Sequence, residues 1–389
     1  MKIIKKDGTV EGWNGEKIKE AVYKAAARVN QYVEPDVLNK LVEKVHSCLI
    51  IDRDVPTKDL HKEVIHYLKS FGLTDVANSY QEYRDYKNTY AKSFEKVKDE
   101  ADNVLLLGDR ENANFDSSLV STKGSLIKGY LTKELYRQFY LSKEEKELTK
   151  RGDIYIHDMR DMLMGSVNCC LFDIGNVLRG GFSMSNVDYT EPTSVLSALQ
   201  VIGDITLVAT AQQFGGFTLA EIDKVLLPYA KKTYDNAFKK YFEQCNMEYD
   251  ESCAMAMGDL RRELEQGFQS LELKLNTVPC SRGDFAFTTL TFGTWDIMMD
   301  DLDRDIMRMI GETILKTRMR GHGGKQVVFP KLVFLYDENK INEDADHKEL
   351  FELAVKCSSK CMYPDYLSLN HGKAADIYKR TGAITSPIN

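Results

Sequence analysis

Residues 152–158 read Gly152-Asp153-Ile154-Tyr155-Ile156-His157-Asp158, and residues 168–171 read Asn168-Cys169-Cys170-Leu171. Both stretches have the look of short strands that end or open on a reactive side chain. Taken as strands over 153–157 and 167–172, they bring His157 and Cys169 to neighbouring strand ends bordering one cavity, where α/β folds place their chemistry. Successive strand residues face opposite sides, so at most one of the two thiols reaches a given pocket. The plainer alternatives are a surface His157 paired with Asp158 and two small thiols packed in a core.

Downstream, strands are expected at 285–292 and 331–335, and helices at 193–213, 219–243, 252–274, 301–319 and 347–361. This alternation predicts an α/β layer or barrel. Gly215-Gly216 follows the first of these helices. The pair reads first as a helix C-cap and second as a close approach of backbone to a ligand. The loop from Asn276, Thr277 and Cys280 to Ser281, Arg282 and Asp284 is rich in donors and suits a sugar or phosphate, or is an ordinary polar turn. Gly321-His322-Gly323-Gly324-Lys325 lacks the spacing of a P-loop.

The first 92 residues read as a separate unit. Asp7-Gly8 is a two-residue hairpin signal, and Asn14 suits a helix cap. Ile18, Ala21, Val22, Ala25 and Val29 recur at helical spacing, as do Leu38, Leu41, Val42 and Val45. Pro56-Thr57 opens a third helix with Leu60, Val64 and Leu68 on one face, and a fourth runs from about Asp75 to Lys92. Residues 93–118 read as a linker and 119–389 as the second domain.

The chain has 389 residues, with 52 Lys and Arg against 59 Asp and Glu, a net charge of −7. That balance argues against broad nucleic-acid binding or an anionic membrane surface. The N-terminus carries no apolar signal segment and no run is long enough to span a bilayer, so a cytoplasmic protein is expected. Eight cysteines without a signal read as reduced thiols, and no pair of pairs offers a zinc site, so no metal ligand is assigned.

Two resemblances emerge from the order of these pieces. Ile3-Ile4-Lys5-Lys6-Asp7-Gly8-Thr9-Val10-Glu11, then Asn14-Gly15-Glu16-Lys17-Ile18, then Pro56-Thr57-Lys58-Asp59-Leu60-His61, resembles an ATP-cone, a small and mainly helical regulatory module. The resemblance implies ATP or dATP as effector, held by Lys5, Lys6, Glu11, Lys17, Thr57 and His61, with Lys87 as a further phosphate contact.

The series 152–158, Asn168-Cys169-Cys170-Leu171, Phe214-Gly215-Gly216, Phe268-Gln269-Ser270-Leu271-Glu272 with Asn276-Thr277, Phe329-Pro330-Lys331-Leu332-Val333-Phe334 and Met362-Tyr363-Pro364-Asp365 resembles the anaerobic, glycyl-radical ribonucleoside-triphosphate reductases. What that implies is a ten-stranded α/β barrel, present here in part, that reduces ribonucleoside triphosphates by thiyl and glycyl radical chemistry. By motif match Cys169 is the barrel-strand cysteine that supplies hydrogen and an electron, and Cys170 faces the packing side. His157, Asn168, Asn276, Thr277 and Ser281 are the expected substrate contacts. The family further implies a radical-SAM iron–sulfur activase, a homodimer, and formate as reductant in some members.

The chain ends at Asn389, where the family continues into a Met-Gly-Cys-Arg finger loop. The thiyl cysteine, zinc pairs and glycyl-radical segment are therefore expected on a further C-terminal stretch or a complementary chain, and these residues alone are expected to be inactive. Two other readings compete: a nucleotide-sensing regulator that uses only the cone, and a different glycyl-radical enzyme. The first needs a DNA-binding module and the second usually lacks a cone.

Overall fold

The computed structural model describes residues 2–5, 8–49, 54–106, 116–165, 167–184, 186–213, 215–280, 283–382 and 384. They form two compact units, Met1–Asp99 and Glu100–Asn389.

In the first unit, β1 (Lys2–Ile4) pairs antiparallel with β2 (Val10–Gly12), the hairpin expected around Asp7-Gly8. Asn14 caps α1 (Gly15–Arg28) through its side chain, which accepts from Glu16 N at 3.0 Å. Then come α2 (Pro35–Leu49), β3 (Val55–Pro56), which lies parallel to β1, and α3 (Thr57–Ser70). Their apolar stripes meet in one core: Ile18, Val22, Leu38, Leu41, Val45, Leu60, Val64 and Leu68 are all buried. Each such side chain contributes about 1.5–3 kcal/mol on burial. The helix α4 (Thr74–Leu106) is longer than its sequence suggests. It runs through the first part of the expected linker, because residues 93–106 hold good helix formers and no Gly or Pro to stop them.

The second unit opens with helices α5 (Val120–Leu135) and α6 (Lys143–Arg151), the latter with a capping box of Ser142 and Glu145. After it come β4 (Cys170–Phe172), α7 (Ile174–Leu178) and a hairpin of β5 (Phe182–Met184) and β6 (Val187–Tyr189). The remainder alternates: α8 (Val195–Thr210), β7 (Phe217–Leu219), α9 (Ile222–Lys239), α10 (Tyr249–Thr277), β8 (Thr288–Phe292), α11 (Asp301–Arg320), β9 (Lys331–Tyr336), α12 (Glu338–Glu343), α13 (Ala345–Cys361), β10 (Asp365–Ser368) and α14 (Lys373–Thr381).

Five strands make one parallel sheet in the order β10-β9-β8-β7-β4. Each strand is added on the same side of the last, so crossovers of one hand stack their helices on one face. On that face Phe217, Leu219, Leu290, Phe292, Leu332 and Phe334 pack into the main core with α8 to α11. The register places Leu171, Thr218, Thr289 and Lys331 side by side on the other face. This is the arrangement from which an α/β barrel is built, with five of the ten expected strands among the described residues.

The sequence reading needs three corrections. Residues 153–157 are not a strand: 154–156 carry no regular structure and pair with no strand among the described residues, and 157–160 form a turn. Their alternation is genuine, but Ile154 and Tyr155 are exposed, and a strand exists only against a neighbour. The stretch 167–172 is laddered only from Cys170, with a single bridge from Val167 to Gln213. Strands β7 and β10 and the β5–β6 hairpin were not anticipated. Among the described residues no helix is long and apolar enough to cross a membrane.

Candidate functional site

Six of the seven residues expected to hold an effector line one cavity of about 640 Å³ in the first unit: Lys5, Glu11, Lys17, Thr57, His61 and Lys87. Lys6 lies outside the described residues. The hairpin supplies Lys5 and Glu11, α1 supplies Lys17, the start of α3 supplies Thr57 and His61, and α4 supplies Lys87. Glu11 Oε2 sits 2.9 Å from both Lys5 Nζ and Lys17 Nζ. Hydrogen bonds from Lys17 and then Lys5 hold its carboxyl below the usual carboxylate range. Thr57 Oγ1 donates to Ile4 O at 2.7 Å, which ties α3 to β1.

The same cavity holds residues that the sequence reading missed. Lys24, Arg28 and Arg84 bring the cations to six, against two carboxylates, Glu11 and Glu20. The Arg84 Nη1 is buried without a hydrogen-bond partner, a donor that a bound anion would satisfy. Arg28 and Lys87 lie 4.0 and 4.8 Å from the Tyr83 ring centroid. Tyr80 OH and His61 Nδ1 share a hydrogen bond at 2.5 Å, and burial pushes the Tyr80 phenol well above its ordinary value. A signal for these was present: Tyr80, Tyr83, Arg84 and Lys87 are spaced to share one helix face. A cationic cavity with aromatic walls fits a polyphosphate joined to a planar base.

In the second unit the two thiols have different surroundings. Gly216 N donates to Cys169 Sγ at 3.1 Å, and the Cys169 thiol lies 3.4 Å from Asn168 Oδ1. Cys170 packs against the core and donates to Gln213 Oε1 at 3.0 Å. Burial pushes the Cys170 thiol up, and the neighbouring Cys169 adds to this.

Gly215-Gly216 is not the cap of α8, which ends at Thr210 with Ala211 beyond it. It is a close approach of backbone to the cysteine segment. Gly215 N donates to Asn168 O at 2.7 Å, and Cys170 N donates to Gly216 O at 3.0 Å. A Cβ on Gly215 would lie 2.6 Å from Asn168 O and closer still to Asn168 Oδ1 and Cys169 Sγ.

A second cavity of about 280 Å³ adjoins this loop and is lined by Lys128, Arg160, Asp161, Gln212 and Gln213 among others. His157 does not line it. Its side chain is 72% exposed and paired with Asp158, and it does not sit at a strand end beside Cys169. Asn276 is engaged elsewhere: Nδ2 donates to Glu272 O and Phe329 O at 2.6 and 2.5 Å, and Oδ1 accepts from Val328 N and Phe329 N. Thr277 Oγ1 donates back to Leu273 O. Ser281 lies outside the described residues. Gly321 to Lys325 is a tight turn, His322 N and Lys325 O bonding at 3.0 Å. Among the described residues no group of three or more His, Cys, Asp or Glu side chains is set to hold a metal ion.

Known proteins match both units. A family model described as ATP cone domain matches residues 1–89, and one described as anaerobic ribonucleoside-triphosphate reductase matches residues 111–385. The anaerobic ribonucleoside-triphosphate reductase of Escherichia coli is 30% identical over 399 residues, which cover 99% of this chain and 53% of that protein. Its namesake from Enterobacteria phage T4 is 33% identical over 269 residues, 68% of this chain and 42% of that one. The chain spans about half the length of the curated relatives it matches. The crystal structure of the anaerobic ribonucleotide reductase from Thermotoga maritima in complex with dATP and CTP aligns at 17% identity and a TM-score of 0.48, covering 75% of this chain and 51% of that one. With one family model taking in the cysteine segment, the paired glycines and all five strands of the sheet, the chain belongs to the anaerobic ribonucleoside-triphosphate reductase family.

Proposed function

We propose that this chain acts in a cytoplasmic enzyme that reduces ribonucleoside triphosphates to 2′-deoxyribonucleoside triphosphates under anaerobic conditions, with ATP and dATP as effectors on the first unit. The observation that carries the reading is the family match across residues 111–385, which takes in Cys169, the residue immediately before the sheet's edge strand. The convergence of Lys5, Glu11, Lys17, Thr57, His61 and Lys87 on one cavity supports the effector assignment.

In this reading Cys169 gives a hydrogen atom to the substrate radical as the 2′-hydroxyl leaves as water, and an external two-electron reductant such as formate, oxidised to carbon dioxide, returns the sulfur to a thiol and supplies the remaining electron. Sulfur suits the task because a thiol gives up and regains a hydrogen atom readily. Gly216 N–H and Asn168 hold that thiol in place. His157, Asn168, Asn276, Thr277 and Ser281 are carried as substrate contacts from the family resemblance. Asn276 reaches that role only by releasing its backbone partners, so Asn168 is the strongest of the set.

The family resemblance implies that the complete enzyme also uses a glycyl radical, zinc and a hydrogen-abstracting cysteine. The partners are a radical-SAM iron–sulfur activase and a second copy of the enzyme, and formate is a candidate reductant. The division into 1–92, 93–118 and 119–389 is retained as cone, connector and catalytic part.

The test is anaerobic turnover of a ribonucleoside triphosphate by the complete, activase-treated enzyme. Cys169→Ser should remove deoxynucleotide product while the glycyl radical signal still forms. Undiminished product would overturn the assignment of Cys169.

A further inference from the structure

Gln213 is 4% exposed and bonds both to Cys170 and to the paired glycines beside Cys169. Its Nε2 donates to Gly216 O at 2.8 Å and to Gly215 O at 3.1 Å, while its Oε1 accepts the Cys170 thiol proton at 3.0 Å. The opposite amide orientation would set Oε1 against two carbonyl oxygens, so this network admits one arrangement. Gly216, held in this way, directs its N–H at Cys169 Sγ. One side chain therefore touches Cys170 directly and Cys169 through the backbone of the paired glycines.

We propose that Gln213 is the positioning residue that separates the two adjacent thiols, tying down Cys170 as a hydrogen-bond donor and leaving Cys169 as the reacting sulfur. Two features of the molecule support the separation. Cys170 is packed against the main core, and its burial opposes formation of the nucleophilic thiolate. The Gly215–Gly216 backbone occupies the space beside Cys169 that any side chain would fill. The proposal uses the reading of Cys169 as the reacting thiol to give the separation its purpose, but the separation itself is measurable without turnover.

The experiment is isotope-coded iodoacetamide labelling of the reduced full chain across a pH series, with Cys169 and Cys170 distinguished by fragment-ion mass spectrometry. In the unaltered chain Cys169 should label roughly tenfold faster than Cys170 near neutral pH, since the thiolate is the attacking species. In Gln213→Met, which keeps the length and loses all three hydrogen bonds, the ratio should fall toward one and the pH profile of Cys170 labelling should move. Cys170→Ala retains the two carbonyl bonds of Gln213, so Cys169 should keep its labelling rate.

Equal labelling in the unaltered chain overturns the proposal whatever the variants do, including a Gln213→Met protein that fails to fold. An unchanged ratio in a folded Gln213→Met protein, or a changed Cys169 rate in Cys170→Ala, overturns it as well. A Cys169→Ser enzyme that still made deoxynucleotide would instead count against the function and leave the labelling result standing.

Discussion

Arg318 Nε lies 2.7 Å from Glu272 Oε1, and the guanidinium has no solvent exposure. The other Glu272 oxygen meets His322 Nε2 at 3.0 Å, and Arg318 Nη2 donates to Pro330 O at 2.6 Å. The pair therefore joins α10, the end of α11 and the entry to β9 at one buried point. It explains why Glu272 closes the Phe268–Glu272 motif on a carboxylate.

Removing one partner of a buried pair leaves the other charge uncompensated. Glu272→Ala should lower the unfolding free energy by about 3–5 kcal/mol, whereas replacing Glu272 and Arg318 together by Met and Leu should restore most of it. Urea denaturation of the three proteins measures both values. A single-variant loss below about 1 kcal/mol would show that the pair is not desolvated as described.

The cone cavity should bind nucleotide through its cations. Calorimetry with ATP and dATP should give heats that weaken roughly tenfold for Lys17→Ala and for Lys87→Ala, and should fall with added salt. Arg28→Ala, outside the residues recognised from sequence, should weaken binding too, because it flanks Tyr83 in the same cavity. Unchanged affinity in all three would remove nucleotide from this cavity.

Gly215 has no room for a side chain. Gly215→Ala should cost about 1–3 kcal/mol through displacement of the cysteine segment, and the thermal melt should show it. Gly124→Ala, where nothing lies within 4 Å of the added carbon, is the control and should be neutral or slightly stabilising.

Asp223 is buried, and that burial pushes its carboxyl up to about 6, against hydrogen bonds from Gly293 N and Lys224 N that favour the charged form. A carboxyl raised above its unfolded value of 3.8 holds its proton longer in the folded state. Its contribution to stability therefore declines as pH rises from about 4 to about 6 and levels off above, by about 3 kcal/mol in all. Asp223→Asn should lack this decline, and comparing denaturation midpoints of the two proteins at pH 4.5 and 7 isolates it. Parallel pH dependences would show that Asp223 titrates normally.

Much of the first unit was legible without coordinates. Helical periodicity is a property of neighbours three and four apart, and Leu60, Val64 and Leu68 could face nowhere but a core. Alternation said only that at most one of the two thiols faces a given pocket, and the choice of Cys169 came from the family motif. The chain's own order of residues also carried the family, which needs no contact to be recognised.

Other features depended on which distant segments meet. The alternation at 153–157 is as good as that of a strand, yet no partner arrives, so His157 sits at an exposed turn. The brief β7 and β10 show little pattern, yet both lie in the sheet because β8 and β9 run beside them. Asn276, a polar loop residue on paper, spends its amide on the backbone before β9. The role of Gly215 and the hold of Gln213 on Cys170 likewise arise from a loop that meets the cysteine segment from 43 to 47 positions away. Sheet pairing and side-chain convergence are long-range, and only the folded chain determines them.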